Sequence, residues 1–303
     1  MYQIALDIYK KPQAISGAIQ YDLQIAQLYA LLGKEELMIK HYFNFLLRNP
    51  NKKKVVFTSI QRFLNNNGIK NENNYLIVKK ALLKTSKLHP DRADFNEMLI
   101  WFFMQNKQYK SALNHVVSLD RRSGNSLSSI YDIGETLLDL EKYPLSIQAF
   151  DYIISKGFKS NLYIDAHINK LYALTKSINE NSEDIKSIDQ KYSQIIDEVG
   201  VNRYSILLVS NYAHFKAFYL NDLISAIDIL DDVMIMSTID KLDLAECKIQ
   251  YADIMLLSGN IWDALLFYSQ VEKDFKEHPI GHKAKFKRAK IAYYQGDFTW
   301  AQA

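Results

Sequence analysis

Apolar residues recur at helical spacing along nearly the whole chain, and short polar turns break the runs. Two late segments align with one another: AECKIQYADIMLLSGNIWDALLFYSQVEKDFKEHP and HKAKFKRAKIAYYQGDFTWAQA. In each, a helix-period run leads to a glycine turn (Gly259, Gly296) and then to an alanine five residues on (Ala264, Ala301). The same order recurs before Ala226, Ala112, Ser146 and Met38. With the turn residue as register, anchors fall at 33, about 73, 107, 141, about 180, 221, 259 and 296. The intervals, 34 to about 41 residues, predict helix–turn–helix repeats. Asn- and Ser-rich stretches at 65–74 and 179–184 predict longer turns inside two of them.

The prolines agree with this register. Pro50, Pro90 and Pro279 fall where second helices end, and Pro144 falls near the start of one, where its missing N–H is tolerated. Pro12 is expected to separate a first short helix, residues 2–9, from the next segment. Two antiparallel helices can approach closely only where side chains are small. Position 8 of the first helix carries Ala26, Gly134, Ala252 and Ala289; position 20, in the second helix, carries Ala112, Ala226, Ala264 and Ala301. Larger knobs follow at position 11 (Tyr29, Phe103, Leu137, Met255) and position 24 (Tyr42, Phe150, Leu230, Tyr268). No single pair can bury its apolar face, so neighbouring pairs must stack.

These residues resemble the tetratricopeptide repeat family over essentially the whole chain, most clearly at 19–50, 93–155 and 207–303. Ile100 and His214 at position 8, and Met38 and Ser146 at position 20, depart from the family pattern. The segments 97–113 and 245–303 also resemble exported tetratricopeptide proteins of Bacteroidota. The resemblance implies an all-α, right-handed superhelical solenoid of stacked antiparallel helix pairs. The chain is expected to form one such solenoid over 1–303, about seven pairs with flanking half-repeats, cut from a longer chain.

Composition narrows the function. Gly and Pro total 15 of 303 residues, about 5% against an average near 12%, too few to punctuate a fold of many short strands. The one cysteine, Cys247, excludes an intrachain disulfide and a cysteine-based metal cage. Net charge is only +3, with 15 basic and 8 acidic residues in 1–100 and a slight acidic excess afterwards. A domain that neutralises many phosphates is normally far more basic. The longest apolar run, Met98–Met104, is far short of a membrane span.

Catalytic chemistry finds no anchor. The ten glycines form no phosphate-binding loop, and neither GxSxG nor HExxH occurs. His278 and His282 form the one close histidine pair, but Pro279 and Gly281 place it in a loop between repeats rather than on a metal-binding helix face. Cys247 has no nearby base, and Asp231–Asp232 and Glu180–Asp184 read as solvated faces. Lys283, Lys285, Lys287, Arg288 and Lys290 share one helix with Phe286, Tyr293 and Tyr294, so basic and aromatic residues interleave there. No cofactor and no enzymatic activity are expected.

An interaction surface remains. In the family this sequence resembles, first helices line a concave face through positions 2, 5, 9 and 12–13. Register assigns Asp94, Glu97 and Trp101 to that face, then Tyr131 and Glu135, then Asn211, Phe215 and Tyr219, and finally Lys283, Phe286, Lys290 and Tyr294. Aromatic anchors among polar groups suit protein recognition. The expected function is a non-catalytic scaffold or adaptor whose partner is another protein with a basic or neutral central segment. The Bacteroidota resemblance implies a cell-envelope assembly or secretion complex, in the periplasm or at the membrane. The alternatives are a regulatory or targeting module of a larger enzyme, or a nucleic-acid-binding helical repeat. Nucleic acid is not the expected partner.

Overall fold

A computed structural model describes residues 2–16, 21–65, 72–178 and 182–301. All regular structure among the described residues is helical. The chain divides into two compact units, Met1–Gly124 and Asn125–Ala303.

The N-terminal unit contains α1 (Tyr2–Ser16), α2 (Asp22–Leu31), α3 (Glu35–Arg48), α4 (Lys53–Leu64), α5 (Glu72–Leu88), α6 (Ala93–Gln105) and α7 (Tyr109–Ser123). Helices α2–α3, α4–α5 and α6–α7 are successive pairs, and α3 and α5 pack side by side. The core includes Ile25, Tyr29, Ile39, Leu46, Ile60, Leu82, Phe95 and Phe102. Two buried polar groups are satisfied within it, as burial demands. Asp22, 1% exposed, binds the Arg48 guanidinium and lies 2.7 Å from His41 Nδ1. The Asn96 side-chain amide donates to the Pro90 and Arg92 carbonyls, while its oxygen accepts from the Ser86 hydroxyl at 2.6 Å. Arg92 donates to the Leu46 and Leu47 carbonyls, so a basic side chain closes the C-terminal end of α3.

The C-terminal unit contains α8 (Leu127–Asp139), α9 (Tyr143–Ile154), α10 (Tyr163–Lys176), α11 (Ser182–Val199), α12 (Ile206–Tyr219), α13 (Leu223–Met234), α14 (Lys241–Leu257), α15 (Ile261–Asp274), α16 (Pro279–Tyr294) and α17 (Phe298–Ala301). The first helices α8, α10, α12, α14 and α16 touch one another in succession. Each second helix from α9 to α15 packs against its own partner and against the next first helix.

The turns follow the register read from the sequence. Gly33, Lys107, Glu141, Asn221, Gly259 and Gly296 all adopt left-handed φ, between 54° and 87°. The anchor near 73 is displaced, because Asn73 already lies in α5. The anchor near 180 lies outside the described residues. Residues 72–74 and 182–184, expected in long turns, are helical. So is Pro12, since α1 runs past it to Ser16. The segment His278–His282 is also not a loop: Pro279 opens α16, and His278 caps it by accepting from the Ile280 N–H.

Close approach occurs where small residues are expected. Ala26, Ala112, Ala226, Ala252 and Ala264 are fully buried. A Cβ on Gly134 would come within 2.9 Å of the Phe150 ring. Ser146 fits at position 20 because its buried hydroxyl donates to the Gly134 carbonyl at 2.9 Å. In α12 the buried small residue is Ala213, not the half-buried His214 one place on.

Candidate partner-binding face

Polar contacts stitch neighbouring first helices of the C-terminal unit together. Asn169 of α10 donates to the Tyr131 hydroxyl of α8 at 2.9 Å, and Gln250 of α14 donates to Asn211 of α12 at 3.2 Å. Lys283 and Lys287 of α16 pair with Glu246 and Asp253 of α14. Burial, reinforced by Glu135 and Asp165, raises the Tyr131 pKa and keeps the phenol protonated.

At the α12–α14–α16 end these helices frame a hollow of about 530 Å³. Phe218, Leu257 and Tyr294 supply apolar walls, and His214, Asp253 and Lys290 supply polar ones. Asp253 is neutralised in place: both its oxygens accept from Lys287, at 2.7 and 2.8 Å, and one also accepts from the Tyr268 hydroxyl. His214 stacks on Phe218 with ring centroids 4.3 Å apart. Burial lowers the His214 pKa, Asp253 opposes this, and Lys287 adds to it, so the imidazole is neutral at neutral pH. Phe286 and Tyr294 are 65% and 77% exposed along the outer edge of α16.

The residues expected on the binding face therefore divide. Phe286, Lys290 and Tyr294 are exposed on α16, Tyr294 with its ring edge-on to Tyr293 at 5.8 Å. Glu135 is exposed, 3.5 Å from Asn169. Tyr131, Asn211 and Lys283 join first helices to one another and are not free anchors. Phe215 is a correction: it is 2% exposed, in the core with Leu171, Ile188, Tyr192 and Leu208. Tyr219 is half-buried and stacks on Phe215 at 5.2 Å. In the N-terminal unit, Asp94 holds Arg92 through two hydrogen bonds, and Glu97 pairs with Lys53. Trp101 is half-buried with its ring at 4.9 Å from Phe57.

His214, Phe218, Asp253 and Leu257 line the hollow but are not among the face residues named from the sequence. The polar ones do leave a signal: contacts between first helices join residues about one repeat apart, as in Asp253–Lys287 and Glu246–Lys283, separated by 34 and 37 positions. The interleaved basic cluster of α16 is largely compensated, since Lys283, Lys287 and Arg288 each pair with a carboxylate. That leaves little excess charge for phosphates. No group of three or more His, Cys, Asp or Glu that could hold a metal occurs among the described residues. No helix among them is long and apolar enough to cross a membrane.

Cys247 is fully buried in the core of the C-terminal unit, and burial pushes its thiol up to about 11. Alkylation of the native chain near pH 8 is expected to run about a hundredfold slower than that of the unfolded chain. Equal rates, followed by mass spectrometry, would contradict this placement.

No family model matches the chain, and no curated protein matches its sequence. Among solved structures, it is similar to a tetratricopeptide repeat protein from Parabacteroides merdae ATCC 43184. The identity there is 13%, covering 87% of this chain and 95% of that one, with a TM-score of 0.43. It is also similar to the apo form of the quorum sensor NprR from B. thuringiensis, at 11% identity, 99% and 94% coverage and a TM-score of 0.44. NprR in complex with its cognate peptide NprX gives 13%, 87% and 85%, and 0.47. At such identities and scores these likenesses assign no function. Within each unit the hairpins, with left-handed turns and small residues buried at the helix crossings, form successive antiparallel helix pairs, the arrangement that the resemblance to tetratricopeptide repeats implies.

Proposed function

We propose that this chain is a non-catalytic interaction scaffold that holds a segment of another protein against the first-helix face of its C-terminal unit. The observation that carries this reading is the hollow between α12, α14 and α16, bordered by exposed aromatic rings. Phe218, Leu257 and Tyr294 would seat an apolar side chain of the partner, and Lys290 would meet a carboxylate or backbone carbonyl beside it. Aromatic side chains of this kind dominate binding energetics when a partner desolvates them. The finer setting we infer is a cell-envelope assembly or secretion complex, periplasmic or membrane-associated. Its support is the resemblance of 97–113 and 245–303 to exported tetratricopeptide proteins of Bacteroidota.

The test is crosslinked capture from the native host, with the full chain carrying Phe286→Ala and Tyr294→Ala. Both rings are largely exposed, so melting should change by less than about 1 °C while partner recovery falls by about tenfold or more. Undiminished recovery would reject the face. A captured partner found only in the soluble cytoplasmic fraction would reject the envelope setting and leave the face intact.

A further inference from the structure

The opposite class of surface, between second helices of the N-terminal unit, carries a separate feature. Along α3, residues 36, 40, 43, 44 and 47 form one helical stripe; along α5, residues 77, 80, 81, 84, 85 and 88 form another. The two stripes border a groove of about 430 Å³. Each runs for about 17 Å at 1.5 Å per residue. Its floor is apolar: Phe43, Leu47, Ile77, Ala81 and Leu88, the last 64% exposed. Its rim is cationic: Lys40, Lys80 and Lys84 stand against one carboxylate, Glu36. None of the three lysines is in an ion pair among the described residues, unlike Lys283 and Lys287 in the C-terminal unit.

We propose that this groove docks an acidic amphipathic helix of a partner protein. An apolar floor flanked by uncompensated ammonium groups is complementary to a helix with leucine-like residues at i, i+3, i+4 and i+7 and with Glu or Asp on both shoulders. The length of the stripes matches about three turns of such a helix. Lysine stems lie along its apolar edge while their heads reach its carboxylates. This site is independent of the hollow on α16 and needs none of its residues.

The experiment uses the full chain and three fluorescein-labelled synthetic peptides read by anisotropy. One is an amphipathic helix with Leu on one face and Glu on its shoulders. The second has the same Leu face with Lys in place of Glu. The third has the acidic composition in scrambled order. The acidic helix is expected to bind at least about tenfold more tightly than either of the others. The double variant K80E/K84E, at positions on the exposed rim, is expected to reverse the preference between acidic and basic helices while melting like the parent. Tyr294→Ala is expected to leave the acidic helix bound. Equal binding of all three peptides, or an unchanged acidic-helix affinity in K80E/K84E, would overturn the proposal. So would tighter, K80E/K84E-sensitive binding to single-stranded DNA or to phosphatidylglycerol vesicles, which would assign the lysines to phosphate instead.

Discussion

Phe215→Ala is expected to destabilise the C-terminal unit by about 3–5 kcal/mol, the range for removing a fully buried phenyl ring. The ring lies between Tyr192 and Tyr219, with centroids 5.4 and 5.2 Å away, and packs with Leu171, Ile188 and Leu208. Tyr192 is itself deeply buried, and the space vacated would be lined by Leu171, Ile188 and Leu208, which offer water no hydrogen-bond partner. Urea unfolding of the full chain, followed by circular dichroism, measures the loss. A change below about 1 kcal/mol would contradict the core placement. The register that the sequence pattern alone gives α12 predicts the reverse: intact stability and impaired partner capture.

Gly281→Ala is expected to be the most disruptive methyl insertion in the α15–α16 junction. A Cβ there would lie 2.0 Å from the Phe275 carbonyl oxygen and 2.7 Å from its carbon. Both atoms are backbone, and the intervening turn is pinned. The Phe275 N–H donates to the Val271 carbonyl, and the His278 N–H donates to the Phe275 carbonyl, each at 3.0 Å. The Gly281 N–H in turn donates to the His278 carbonyl at 2.9 Å. No rotamer change relieves this contact, so α16 must shift or its first turn must open, at a cost of about 3 kcal/mol. Hydrogen exchange should accelerate along α16, and the melting temperature should fall by several degrees. Because Lys287, Lys290 and Tyr294 ride on α16, partner capture should fall as well. Parent-like exchange across 279–294 would show that the junction yields without cost.

The hairpin turns at Gly33, Asn221, Gly259 and Gly296 are legible in the sequence because each ends a helix in the left-handed region, which Gly and Asn favour; those at Lys107 and Glu141 are legible only from the repeat spacing. The helix crossings are legible because only small side chains fit them. The face is harder, and α12 shows why. A helix turns by about 100° per residue, so a register error of one place rotates every assignment by more than a quarter turn. Placing His214 at the close-packed position puts Asn211, Phe215 and Tyr219 on the face. The buried small residue is Ala213, and the corresponding face positions become His214 and Phe218, two of the residues that line the hollow. On α16, Lys290 and Tyr294 line the same hollow. Lateral partners such as Asn169 for Tyr131 sit 38 positions away in sequence, beyond the reach of any pattern within one helix.

The succession of contacts, each helix touching little beyond its nearest neighbours in the chain, also bears on biosynthesis. Structure of this kind need not await the last residue. Within each unit, a newly completed hairpin finds its docking surface on the one before it as the polypeptide leaves the ribosome, so order can advance along the nascent chain in step with translation.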